Sequence, residues 1–438
     1  MKHLLERIDL RGESEGSIAS SIAGLLPRPG GSDAEVVKAV SEIVEQVRLE
    51  GDAALRELTL RFDGTEPAAL EVSSDELARA RAGLPGDLRD ALELAYQRIT
   101  EYHRHQVPSV SEVDLGGVVV RDMVVPVERA GLYAPGGRAS YPSTVLMCAV
   151  PARVAGVGEL VLCVPPGSDG HVASVTLAAA AIAGIDEVYC VGGAQAVAAM
   201  AFGTETILPV DVIAGPGNRY VAEAKRQVAG MVGVPSAYAG PSEVVVVADG
   251  TVPAEWVAVD LLVQAEHGPD GLAWLLTWSE DVADAVDYAI ATLLPTSKRR
   301  EELESTLASG GYAVLVDGPS EAMAVANEVA PEHLEILTER PRELEVLVRR
   351  AGAVFLGSHS PASVGDYLAG TNHVLPTARS ARFASALRVD DFCRRIHSVA
   401  VSDDALEALA GPLVALATAE GLEAHALSVT TRTNRQAT

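Results

Sequence analysis

Apolar positions along this chain follow two different periods, and the switches between them mark its elements. From Asp33 to Phe62 they recur about every 3.6 residues (Val36, Val37, Val40, Ile43, Val44, Val47), which predicts helix, and a second helical pattern runs from Ser74 to about Tyr102. His103 and His105 then read as a solvated helix end, because residues two apart on a helix point in different directions. Residues 1 to about 24 are amphipathic and precede a Pro/Gly-rich stretch, Leu25–Asp33, so they are expected to form a small arm.

From Val118 the texture changes to short β-branched runs alternating with Ala-rich helical ones. Strands are predicted at Val118–Val127, Leu160–Val164, Glu187–Val191 and Val210–Ala214. Helices are predicted over Ser143–Ala155 and His171–Ala183, then opening at Gly192-Gly193 and at Gly215-Pro-Gly-Asn218. A second alternating region has strands at Val244–Ala248, Trp274–Trp278, Tyr312–Val316 and Ala353–Leu356. Within it, one helix is expected to be capped by Thr251 and stopped by Gly268-Pro269; another, capped by Ser360 with Pro361 in its first turn, carries Asp366 and stops at Gly370. From about Asp390 the chain reads as helical and charged.

Such a β-α series implies parallel sheets with ligand sites at the carboxyl ends of the strands. Two of its strand-to-helix turns are glycine-rich, which lets backbone N–H groups and a helix N-terminus approach a phosphate and points to a nucleotide. The full G-x-G-x-x-G fingerprint is absent, since Gly156-Val-Gly158 precedes a strand instead of following one.

Composition narrows the partners. At 438 residues the chain exceeds one ordinary core, and 60 acidic against 34 basic residues repel phosphate backbones and anionic membranes. The first ten residues carry charges where a signal peptide needs an apolar run, and the longest nearly apolar run, Val175–Ile185, is well short of the roughly 20 residues that span a bilayer. Cys148, Cys163, Cys190 and Cys393 show no C-x-x-C spacing, which argues against a thiolate zinc site or a disulfide framework and fits a cytoplasmic protein.

Two local patterns suggest chemistry. Gln264 and His267 stand one turn apart at the end of their predicted helix, where unpaired carbonyls favour a cation held between an amide oxygen and an imidazole. Glu332-His333 pairs a carboxylate able to activate water with an imidazole able to move a proton near neutral pH. Neighbours on a regular strand point to opposite faces, so both can serve one site only at an irregular junction, which Pro331 supplies.

Taken together, Leu262-Val-Gln-Ala-Glu-His-Gly-Pro269, Ala330-Pro-Glu-His-Leu-Glu335, the run Gly365–Thr377, Val191-Gly-Gly-Ala-Gln195, Ala214-Gly-Pro-Gly-Asn218 and Gly240-Pro-Ser-Glu243 resemble the histidinol dehydrogenase family in order and spacing, from about Leu25 to the C-terminus. The resemblance implies oxidation of L-histidinol to L-histidine through the aldehyde, the last step of histidine biosynthesis, with two NAD and one zinc per subunit. It places the zinc ligands at Gln264, His267, Asp366 and His425, which with His333, Ser242 and Glu420 would also bind substrate. Glu332 and His333 become the catalytic pair, and NAD would contact Tyr133, Gln195 and Asn218. His373 is read as structural.

The expected fold is α/β, with two incomplete Rossmann-like parallel-sheet domains: residues 30–132 with 243–387, carrying the catalytic and zinc residues, and residues 133–242, binding NAD. An N-terminal arm (1–29) and a C-terminal helical arm (388–438) flank them, the latter completing the partner's site in an intertwined homodimer. Val234–Ala239 and Ser385-Ala386-Leu387 depart from the family pattern. Other readings are a related zinc- and NAD-dependent dehydrogenase of another small alcohol such as a sulfonated diol, a zinc hydrolase, and a dimeric scaffold without activity. Glu420 disfavours a sulfonate, and the glycine-rich turns disfavour a hydrolase.

Overall fold

The computed structural model describes residues 3–26, 33–136, 140–185, 187–235, 242–266, 268 and 271–433. In chain order its elements begin with β1 (Glu6–Asp9), α1 (Glu15–Ile22), α2 (Ala34–Glu50), α3 (Asp52–Asp63), α4 (Ser74–Ala82), α5 (Gly86–Arg104), β2 (Ser111–Asp114) and β3 (Val118–Pro126). Next come β4 (Arg129–Tyr133), α6 (Pro142–Ala155), β5 (Glu159–Val164), α7 (Ser174–Ile182), β6 (Glu187–Cys190), α8 (Gly193–Phe202), β7 (Val212–Ala214) and α9 (Arg219–Val228). The second alternating region holds β8 (Glu243–Ala248), α10 (Ala254–Ala265), β9 (Leu272–Thr277), α11 (Glu280–Leu293), α12 (Arg300–Gly310), β10 (Gly311–Leu315), α13 (Pro319–Val329), β11 (His333–Leu337), α14 (Pro341–Glu345), β12 (Ala353–Leu356) and α15 (Ala362–Tyr367). The chain closes with β13 (Cys393–Val401), α16 (Asp403–Ala419) and α17 (Glu423–Thr433).

The protein is α/β, and two units divide it: residues 1–106 with 128–392, and residues 107–127 with 393–438. The first unit contains a six-stranded parallel sheet, ordered β1-β10-β9-β8-β11-β12, and a four-stranded parallel sheet, ordered β6-β5-β4-β7. Helices cover both faces of the larger sheet, which is why Val244–Val247 is apolar without alternation. Val244 and Val246 enter one core with residues of α10 and α11, while Val245 and Val247 enter the other with residues of α13. All four are fully buried, at roughly 1.5–3 kcal/mol of hydrophobic stabilisation per large side chain. In the second unit β13, β3 and β2 form an antiparallel sheet, followed by α16 and α17.

Several expectations are corrected. Residues 3–26 are no free arm: β1 is the edge strand beside β10, and Ile18 and Ile22 of α1 are fully buried in a core shared with α13. The Asp33–Phe62 pattern breaks at Gly51, whose φ of 55° is left-handed, and the Ser74–Tyr102 pattern breaks before Pro85. Pro253 and Pro361, not Thr251 and Ser360, occupy the N-cap positions of α10 and α15; the Thr251 hydroxyl bonds Asp249 instead. The segment after Asp390 is not helical throughout, since β13 pairs along its length with β3. Residues 107–127 accordingly fall in the second unit, although the sequence reading put them in the first domain.

His103 is also corrected: it is fully buried, an internal polar group of the core. Its Nδ1 lies 2.8 Å from the carbonyl of Ile99 and its Nε2 3.5 Å from the Asn372 amide, which itself donates to Met147 O. These partners assign the neutral tautomer with the proton on Nδ1. Burial pushes the ring below its ordinary value of 6.5, so the unfolded chain takes up a proton before the folded one does. Stability contributed by neutral His103 is therefore present above pH 6.5 and is lost as pH falls through the folded value. The urea midpoint should drop on acidification from about pH 7.5 to about pH 5.5, and drop less in His103→Asn, which keeps a donor near Nδ1 and cannot titrate.

Candidate functional site

Helix α13 ends in a left-handed residue, Ala330 with φ 51°, and Pro331 follows before β11 begins at His333. That break lets Glu332 and His333 face one another: Glu332 Oε2 lies 3.6 Å from His333 Nδ1. Their alignment comes from the start of β8. The Glu243 backbone N–H donates to Glu332 Oε2 at 3.1 Å, and the Glu243 carbonyl accepts from His333 Nδ1 at 3.3 Å. One backbone residue thus clamps both members of the pair. With Nδ1 engaged, Nε2 is the nitrogen free to gain and lose a proton.

His333 Nε2 has no aligned hydrogen-bond partner, yet Asp366 Oδ1 lies 3.4 Å away. The ring is nearly fully buried and stacks on Phe355, with centroids 6.0 Å apart. Burial by itself would lower its basicity; the facing Glu332 and Asp366 carboxylates outweigh this and raise it to about 10. His373 holds the backbone beside Asp366, its Nδ1 2.8 Å from the Asp366 carbonyl and its Nε2 3.0 Å from the Thr144 hydroxyl. Glu243's own carboxyl is buried, accepts from the Ala378 N–H, and is pushed up to about 8 by burial and then by Glu332. That bond braces Ala378 and Arg379, two consecutive residues at left-handed φ.

Gln264 lies in the last turn of α10, as its spacing implied, and is buried there. His267 lies outside the described residues. Ser242 directly precedes β8, and its carbonyl accepts from the Leu272 N–H at 3.0 Å. Glu266 and Tyr367, neighbours of Gln264 and Asp366, line one cavity of about 440 Å³ together with Tyr141, Ser143 and Arg299. A larger, more open cleft of about 790 Å³ beside Arg79 and His171 contains none of the candidate residues. Glu420 and His425 are exposed and belong to the second unit. No group of three or more His, Cys, Asp or Glu side chains able to hold a metal occurs among the described residues.

The candidate cofactor residues gather at the carboxyl edge of the smaller sheet. The Tyr133 hydroxyl, at the end of β4, accepts from the Gly193 N–H at 3.1 Å. Gly193 has φ 67°, and a Cβ there would strike the Gln195 side chain, whose buried Oε1 has no partner. A Cβ on Gly215 would lie 2.1 Å from Tyr133 O, so only glycine permits this close approach of two backbones. Asn218 caps α9, its Oδ1 accepting from Tyr220 N and Val221 N. Sequence reasoning missed Lys225, which is buried and donates to Gly215 O, bracing the same turn from below. It also missed Glu243, although Gly240-Pro-Ser-Glu243 was among the motifs.

A parallel sheet with a buried Glu–His pair at the start of one strand, and a second sheet with glycine-rich turns at its carboxyl edge, have the form of a dinucleotide-dependent α/β oxidoreductase. The comparisons specify which. The family profile described as histidinol dehydrogenase matches residues 26–433, and the chain belongs to that family of NAD- and zinc-dependent enzymes of histidine biosynthesis. It is 50% identical to the histidinol dehydrogenase of Parasynechococcus marenigrum over 394 residues, covering 90% of each chain. Identity to that of Rhodospirillum rubrum is 49% over 426 residues, covering 96% of this chain and 98% of the relative. The crystal structure of histidinol dehydrogenase from Elizabethkingia anophelis superposes with a TM-score of 0.93 at 34% identity, covering all of both chains. The chain is thus an NAD-dependent oxidoreductase acting on histidinol, which sets aside the hydrolase and scaffold readings. No helix among the described residues is long and apolar enough to cross a membrane.

Proposed function

We propose that this chain carries out the full four-electron oxidation of L-histidinol to L-histidine at a site built on His333, with one zinc per subunit and two NAD used in turn. The observation that carries this reading is the single imidazole of His333 set between Glu332 and Asp366, with its Nε2 buried and unbonded. The donor set suits zinc: an amide oxygen from Gln264, a carboxylate from Asp366, an imidazole from His267, and another from His425 of the partner subunit. The unpartnered Gln195 Oε1 and the Gly193 and Gly215 turns, with Tyr133 and Asn218, suit a dinucleotide. When bound, NAD supplies a hydride acceptor and zinc a Lewis-acidic anchor for the substrate.

Each oxidation removes one hydride from carbon and one proton from oxygen. His333 Nε2 takes the proton from the alcohol oxygen in the first step. A cation held by Asp366 would take that carboxylate away from a proton at Nε2 and so leave the imidazole able to act as base. Glu332, held by the Glu243 N–H, draws a proton from water as it adds to the aldehyde; His333 gives its first proton to the alkoxide so formed, and, neutral again, takes a proton from the resulting hydrate as the second hydride leaves. Ser242 and the partner subunit's Glu420 orient the substrate. Retention of the aldehyde protects a reactive amino aldehyde from solvent.

The dimer is inferred from the exposed positions of Glu420 and His425 and from the apolar surface of their unit, where Leu416 and Leu427 are more than half exposed. Two identical segments crossing about a two-fold axis would complete both sites and cover that surface. A cytoplasmic location fits the free, buried thiols of Cys148, Cys163 and Cys190. The test is to count NADH formed per L-histidinol consumed, expected at about two, before and after a strong chelator, which should abolish turnover until zinc is restored. One NADH with aldehyde accumulating, or full turnover by metal-free protein, would sink the reading.

A further inference from the structure

Glu335 has no part in the chemistry above and no ordinary partner for one of its oxygens. It lies two residues beyond His333 on β11, hence on the same face of the strand, and is fully buried. Its Oε1 accepts from the Ala362 N–H, the first residue of α15, at 3.1 Å. Its Oε2 is buried and meets no donor, and the side chain that Glu335 engages is the carboxyl of Asp260 on α10. The flanking strands β8 and β12 place Val246 and Phe355 beside it in register, and the other titratable group acting on it is His333. Burial raises both carboxyls, Glu335 the more strongly. Two carboxylates in contact in so dry a place cannot both stay ionised, so a proton between them is what satisfies Oε2.

Each of the three anchor points shares an element with a residue of the site. Asp260 is four residues before Gln264 on α10, Ala362 is four residues before Asp366, and Glu335 shares its strand face with His333. We propose that Asp260 and Glu335 share one proton and, in that form, act as a positioning pair that holds α10, β11 and α15 at the spacing the zinc ligands require. Loss of the shared proton sets two carboxylates against each other across α10 and β11 and weakens zinc binding. This inference rests on the zinc reading proposed above. Its signature is an alkaline fall in zinc affinity, opposite in sign to the rise expected as the imidazole ligands lose their protons at lower pH.

The experiment measures Zn²⁺ affinity of the full-length protein by competition with a chromophoric chelator, from about pH 7 to about pH 10, with thermal unfolding followed in parallel. Glu335→Gln keeps the acceptor for Ala362 N–H and offers an amide N–H to Asp260 at every pH. Its affinity near neutral pH should stay within about 2-fold of wild type, and the alkaline fall should vanish. Asp260→Asn, which donates to Glu335 from the other side, should also lose the fall and serves as the second reading if the first variant folds poorly. Glu335→Leu offers neither bond and should weaken zinc by about 10- to 100-fold. The same alkaline fall in wild type and both amide variants, or wild-type affinity in Glu335→Leu, overturns the pair alone. A wild-type protein that binds no zinc overturns the zinc reading, and the pair's role with it.

Discussion

His333→Asn is expected to slow the oxidation of both the alcohol and the aldehyde by about 10²–10⁴-fold, while Glu332→Gln slows the aldehyde step far more than the alcohol step. The difference follows from where the two groups sit. His333 presents its unbonded Nε2 to the site, and each oxidation must shed an oxygen-bound proton. Glu332 is held on the Nδ1 side, its Oε2 taking the Glu243 N–H, and the role proposed for it, taking a proton from water, is needed only where water adds. Stopped-flow NADH formation from L-histidinol and from the aldehyde separates the two steps. Equal losses in both steps for Glu332→Gln would contradict the division of labour. Little loss in His333→Asn would remove the base altogether.

The second large effect is a gain of activity from two dead proteins. His425→Asn and Asp366→Ala should each be inactive, because each lacks a proposed zinc ligand. Mixed in equal amounts under conditions that allow subunit exchange, half of the dimers become heterodimers. Each heterodimer then holds one site with Asp366 from one protomer and His425 from its partner, both intact. Activity should return to about a quarter of wild type. Mass spectrometry of differently labelled chains can show that exchange occurred; a mixture that exchanges and stays inactive would mean that His425 serves its own chain.

Parts of the site were legible because their residues are neighbours along the chain. Glu332-His333 after Pro331 announced an irregular junction, and Ala330 at left-handed φ is that junction. The glycines before α8 and α9 marked turns open to a phosphate, and the fold adds a second reason for one of them: Gly215 packs against Tyr133 O as glycine alone can. What escaped were partners distant in sequence. Nothing near Glu243 says that its backbone will meet residues 332 and 333, and nothing near Glu335 says that Asp260 will face it. His103 was read as a solvated helix end because His105, two residues on, points another way, yet the loop at Asn372 covers it.

By itself the sequence determined the alternation of strands and helices, the parallel character of the two larger sheets and the kinds of side chain available for catalysis, because these follow from local periodicity and backbone preference. Val244–Val247 had to lie inside a covered sheet whatever surrounded it. Tertiary structure decided what short or amphiphilic segments became. Four residues, Glu6–Asp9, are too few and too charged to declare a strand, and they form one because β10 offers an open edge. Cys393–Val401 carries charge enough to resemble helix, but β3 supplies the hydrogen bonds of a sheet. In both cases the free energy lies in pairing with a segment hundreds of residues away, which no local window contains.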